Sequence, residues 1–149
     1  MRLTIFCAFV LAVINIQAQS SPQDSLSDPY FECLKIHLAE LKERNALADT
    51  IFVSQRDYLP DYTGMYGQTF IKMATPEFIY ERTKKRKGIW VIVINAIEFK
   101  KSIATVNVVD FGVSRKKSHY TTVNNSFTKI KIDMDCSTYK YQYEIVAAH

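Results

Sequence analysis

Phe31, Leu34, Leu38 and Leu41 recur at spacings of three and four residues, with Glu32, Lys35, Glu40, Lys42, Glu43 and Arg44 on the remaining positions. That periodicity predicts an amphipathic helix over 29–44, with one leucine-rich face that needs another layer to cover it. Ser27 or Asp28 can cap it, and Pro29 suits its first turn, where the missing N–H has no partner to lose. A short β-branched and aromatic run at 50–53 predicts a strand, and Pro60, Gly64 and Gly67 punctuate a tyrosine-bearing loop after it. A second short strand follows at 69–73. Thr75-Pro76-Glu77 then opens a second helix that ends near Gly88.

From Ile89 the pattern changes to strands separated by polar turns. The nearly continuous apolar run 89–99 reads as one central strand buried on both faces, followed by a turn at Lys100-Lys101-Ser102. Strands at 103–113 and 126–134 follow, separated by a second turn at 115–118; in the latter strand Ile130, Ile132 and Met134 alternate with Lys129, Lys131 and Asp133. After a turn at 135–138, Tyr139, Tyr141, Tyr143 and Ile145 share one face of a last strand. Helix first and meander last is an α+β arrangement, with one or two helices across one face of a curved antiparallel sheet. This order of elements resembles the cystatin-like and nuclear-transport-factor-like cone folds, and the resemblance implies a cavity between helix and sheet. The Tyr58-Leu59-Pro60 loop, the basic second helix and the Asp135-Cys136 turn also resemble small exported proteins of unknown function from Gram-negative bacteria, which implies a periplasmic or surface address.

Met1-Arg2, an apolar stretch from Leu3 to Ile16 and the small residues around Ala18 have the order of a secretory signal, with cleavage expected after Ala18. The domain plan is thus a signal at 1–18, a polar flexible leader at 19–27 and one domain at 28–149. The apolar stretch is shorter than the roughly 20 residues a membrane helix needs, so the expectation is an exported protein, periplasmic or extracellular, that does not span the membrane. Cys7 is not in a lipidation setting, because Phe6 stands where a lipobox takes a small residue. The formal net charge of +4 is too small to argue for nucleic acid. Cys33 and Cys136 allow a single pairing in an oxidising compartment. Either they tie the first helix to the last hairpin or they remain two thiols.

Candidate chemistry is sparse. His37, His119 and His149 lie at no recognised ligand spacing, and no metal or cofactor is expected. His37, between charged neighbours, reads as solvated, and the terminal His149 as frayed. Asp133 and Asp135 share a strand face but read as a charged strand end. Neither Gly-x-Ser-x-Gly nor a cysteine in a Cys-His setting is present. Asp110, between Val109 and Phe111, is the acid most surrounded by apolar neighbours and the weak candidate for a general base in a cone-fold interior. Arg82, Lys84, Lys85, Arg86 and Lys87 form a basic run that Arg115, Lys116 and Lys117 can join in space, a patch open to an anionic partner although helix-end cations explain it more simply. Tyr58, Tyr62 and Tyr66 in the loop and Tyr139, Tyr141 and Tyr143 in the stripe are candidate contact residues, with core packing as the competing role for the stripe. Asn124-Asn125-Ser126 matches a glycosylation acceptor by coincidence.

The leading expectation is a non-enzymatic exported module that binds a protein or envelope component through the tyrosines. The alternative is a small-molecule binder or acid-base enzyme whose pocket lies between the first helix and the sheet, marked by a buried polar cavity at Asp110.

Overall fold

The computed structural model describes residues 28–84, 88–116, 119–138 and 140–149. The expected signal and leader with Cys7, together with Lys85, Arg86, Lys87, Lys117 and Tyr139, lie outside the described residues. Two helices, α1 (Pro29–Glu43) and α2 (Pro76–Lys84), pack on a sheet of eight strands. These are β1 (Thr50–Ser54), β2 (Gly64–Tyr66), β3 (Thr69–Ala74), β4 (Ile89–Ile94), β5 (Glu98–Lys100), β6 (Ile103–Lys116), β7 (His119–Asp135) and β8 (Lys140–Ala148). They lie in the order β2-β3-β1-β4-β6-β7-β8, with β5 paired to β6. The fold is α+β, and the open, curved sheet is mostly antiparallel.

Several details depart from the pattern read off the sequence. The apolar run 89–99 is two strands, because the long β6 pairs β4 along 108–113 and β5 along 103–105. Between them the Asn95 N–H donates to the Asn107 carbonyl at 2.9 Å. The N-terminal strands are not part of the meander: β1 runs parallel to both β3 and β4, with the β2–β3 hairpin and α2 supplying the crossovers that parallel pairing requires.

α1 begins where the Asp28 side chain accepts from the Tyr30 N–H at 3.0 Å. It ends in a Schellman-type closure: Ala46 N–H donates to the Leu41 carbonyl and Asn45 N–H to that of Lys42, with Asn45 at φ 54°. Its buried face, Cys33, Leu34, His37, Leu38 and Leu41, covers Ile51, Val53, Ile92, Ile94, Val106, Val108, Ile130 and Ile132. The opposite face carries Phe52, Ala74, Ile89, Val91 and Val113, and α2 covers these with Phe78 and Ile79. The helices therefore sit on opposite faces, not on one. Strand alternation explains this, since Ile51 and Val53 point one way and Phe52 the other.

The possible disulfide does not form. Cys33 is fully buried on the core face of α1, whereas Cys136 is exposed in the turn after β7, and both are free thiols. Burial, with smaller contributions from Glu32 and Asp28, pushes the Cys33 thiol up to about 12. A raised thiol value means that the folded chain holds its proton longer than the unfolded chain. Stability from this group is fully present below the ordinary thiol value, about 8.5, and is lost as pH rises toward 12. The expected outcome is that a thiol-alkylating reagent at pH 8 labels Cys136 in the native protein and Cys33 only after unfolding, read by peptide mass mapping. Cys33→Ala should flatten the alkaline limb of stability against pH, measured by urea unfolding.

Trp90, the chain's one tryptophan, lies flat across β6 because its strand partner is Gly112. A Cβ at position 112 would stand 2.8 Å from two ring carbons of the indole. Gly112→Ala should therefore displace the ring, shift its fluorescence and cost about 1–3 kcal/mol. Gly88→Ala, whose nearest neighbour would be 3.7 Å away, should change neither emission nor melting temperature.

Candidate functional site

The α1 face that meets the sheet is apolar except at one position. His37 follows Leu34 by three residues and precedes Leu41 by four, so helical geometry carries it into the core, where it is 1 % exposed. The solvated reading of His37 is thus corrected: its charged neighbours in sequence lie around the helix from it. A buried imidazole needs polar partners, and β6 and β7 supply them. Val108 pairs with Thr128 and Asp110 with Ser126, so register alone places Asp110, Ser126 and Thr128 on the face beneath α1.

His37 Nδ1 lies 2.8 Å from Thr128 Oγ1 and Nε2 lies 3.3 Å from Asp110 Oδ2. The second contact is close enough for electrostatic pairing but too poorly aligned to be a full hydrogen bond, and buried Nε2 makes no other. The Ser126 hydroxyl donates to the same Oδ2. Asp110, 7 % exposed, thus has Oδ2 engaged twice and Oδ1 without a protein partner among the described residues.

Asp110 also forms part of the wall of a cavity of about 390 Å³. The cavity exists because β1 and β4 share a single bridge pair, Val53 with Ile92. Before that pair both strands, Thr50 to Phe52 and Ile89 to Val91, run without bridging each other. The gap admits groups from both faces of the sheet: Leu41 and Asp110 from the α1 side, Arg82 of α2 from the other. Trp90 and Ile92 line it too, and so does Asn125. Asn125 is the extra residue of a β-bulge, because Asp110 pairs with Ser126 and Phe111 with Asn124. Bulges of this kind re-aim side chains beside sites. A broader depression near Lys42, Asp49 and Gln68 carries no buried ionisable group.

The other sequence candidates are placed as follows. The Tyr58 hydroxyl donates to the Ile94 carbonyl at 2.8 Å, and its exposed ring stands 5.5 Å from Tyr30. The Tyr62 hydroxyl donates to Asp28 Oδ2 at 2.5 Å, and its ring stands 5.0 Å from that of Phe31. Burial first, then the Asp28 carboxylate, pushes the Tyr62 phenol above its usual range. Tyr66, Tyr141 and Tyr143 are half-buried against the main core. Tyr58 and Tyr62 thus clasp the start of α1. In the basic patch, the guanidinium of Arg115 lies 4.6 Å and the ammonium of Lys84 5.7 Å from the Tyr80 ring, so α2 and the end of β6 do bring their cations together. Lys116 is exposed at the end of β6.

Asp133 pairs with Lys131 at 2.5 Å. Asp135 accepts from Ser137 and Thr138, which hold its carboxyl at about 2. Among the described residues no three His, Cys, Asp or Glu gather as metal ligands. His149 is not frayed: its backbone exchanges two hydrogen bonds with Phe127.

The hydrogen-bonded clasp yields one expectation. Tyr62→Phe should cost about 1.5–3 kcal/mol, the worth of a hydrogen bond to a charged group, and should loosen the start of α1, read by urea unfolding and amide exchange. Comparison of the chain with protein-family models, with curated proteins and with solved structures returns no match in any of the three.

Proposed function

We propose that the cleft between the split strands is a binding site for a small organic molecule, and that Asp110 is the group that meets the ligand's hydrogen-bond donor. One observation carries the reading: a buried carboxylate, backed by a histidine and a serine, faces a cavity lined mostly by apolar side chains. Burying such a group costs free energy that an apolar residue would not, and its Oδ1, without a protein partner among the described residues, is left for a ligand. A concave apolar site with a few convergent polar groups is also the usual form of a ligand pocket, and about 390 Å³ falls within the usual volume.

The same geometry suits proton transfer. Oδ1 can accept a proton from a bound ligand, while Ser126 and His37 offset the charge on Oδ2. The loosely aligned Nε2 contact is of the kind that tightens when a ligand is bound. An exported, periplasmic or extracellular address is part of the same proposal. No helix among the described residues is long and apolar enough to cross a membrane.

A second reading, an envelope interaction module, is favoured by the large apolar side chains exposed on strands, among them Phe99 at 77 % and Met134 at 49 %. A single stoichiometric partner captured by crosslinking at these residues, from cells and without any small-molecule binding, would establish it instead.

The test uses Trp90 as its own reporter. A panel of single-ring aromatic fragments should yield compounds that shift Trp90 emission and raise the melting temperature as mass action requires. Ala48→Phe, at an exposed position in the cleft wall, should abolish both effects without unfolding the protein. Compounds that bind the blocked variant equally well would refute the cleft as the site.

A further inference from the structure

We infer that the occupant of the cleft is an organic anion with a bipolar shape, an aromatic or apolar body bearing a carboxylate at one end and a hydrogen-bond donor at the other. This rests on the cleft being a ligand site. Among the described residues two charged side chains line the cavity, Arg82 and Asp110, and they reach it from opposite faces of the sheet. Asp110 is met by His37 and Ser126 on Oδ2 alone, and Oδ1 has no protein partner among the described residues. Arg82 makes no ion pair with a carboxylate among the described residues, and its guanidinium rests 5.6 Å from the Phe78 ring.

Phe78 is shared. Lys72 Nζ lies 5.0 Å from the same ring, so two cations gather around one aromatic ring, neither in an ion pair with a carboxylate among the described residues. Like charges so gathered raise the positive potential at the Arg82 end of the cavity, which a bound anion offsets. Lys84 and Arg115, around Tyr80 on the same helix, extend the positive field at this face of the molecule. Such a field favours capture of an anion from solution.

At the other end the requirement is opposite. Asp110 presents an oxygen that accepts, and a second anion beside it would be repelled. The ligand's far end must therefore donate, as a hydroxyl or amine does. The same cavity is lined by Trp90, 57 % exposed with its ring laid over β6, and by the aliphatic chains of Ile51, Ile89 and Ile92. These suit a flat apolar body. An engineered apolar cavity of about 150 Å³ takes benzene, so about 390 Å³ accommodates a substituted ring rather than a peptide or a lipid chain.

The probes are 4-hydroxybenzoate, 4-hydroxyphenylacetate and 3-(4-hydroxyphenyl)propionate, which differ in the distance between hydroxyl and carboxylate. Each is compared with its methyl ester and with its analogue lacking the hydroxyl. Binding to the purified protein is measured by calorimetry and Trp90 emission. The best-spanning hydroxy acid should bind roughly tenfold or more tighter than either comparison compound, the ratio a lost charge-assisted hydrogen bond implies. Arg82→Gln, at an exposed position, should erase the preference for acid over ester with unchanged melting temperature, and Asp110→Asn should weaken the preference for the hydroxyl in a protein that still folds. Equal binding of acids and esters, or a preference that survives Arg82→Gln, would overturn the anion assignment and leave the cleft reading standing. Failure of every probe, esters included, to bind would overturn the cleft reading and the inference with it.

Discussion

A single buried histidine sets the terms for this fold. Helical spacing places His37 among the leucines of α1, and an imidazole with no access to water must find partners in the layer it covers. It finds Thr128 on one nitrogen and Asp110 on the other. That demand fixes how α1 lies on β6 and β7. Shifting either strand by one residue would turn Asp110, Ser126 and Thr128 to the wrong face and leave the ring unpaired. Apolar packing supplies most of the attraction between helix and sheet, whereas the polar cluster selects among the ways of packing. A cluster that is only partly satisfied, as Nε2 is here, stabilises less than an apolar core of the same shape.

The cleft follows from a second feature, the meeting of two kinds of sheet. β4 pairs along its length with β6 but touches β1 at one bridge pair, so the parallel and antiparallel halves separate toward the start of β4. Through that gap a carboxylate beneath one helix and a guanidinium from the other line one cavity. The bulge at Asn125 and the bare backbone at Gly112, which lets Trp90 lie flat, shape the same region. Charge, aromatic surface and volume converge there although no short stretch of sequence contains them.

Much of the fold is legible in residue order. The helix at 29–44 ends within a residue of its observed limit, because its leucine spacing and Asp28-Pro29 start are local signals. The split of the run 89–99 is not legible, because it depends on β6 being long enough to pair twice. The polar half of β7, 119–124, shows no apolar alternation yet pairs fully with β6, so its structure is conferred by its partner. Within the site, Asp110 stands out by its apolar flanks. His37 carried an equally good signal, its position between Leu34 and Leu41, but its charged neighbours in sequence obscured it. Ser126 and Thr128 look like ordinary strand residues, and only cross-strand register reveals them. Arg82 reads as part of a basic run, and nothing local distinguishes it from the cations that follow.

The account stands on the coupling between His37 and Asp110, and a double-mutant cycle measures it directly. Stabilities of the wild-type protein, His37→Ala, Asp110→Ala and the double variant, taken from urea unfolding at neutral pH, yield the interaction energy between the two side chains. A coupling of about 0.5–3 kcal/mol, the range for residues in one polar network, is the result predicted. Additive effects, with a residual below about 0.5 kcal/mol, would mean that the two side chains do not meet under α1 and would contradict the placement of the site.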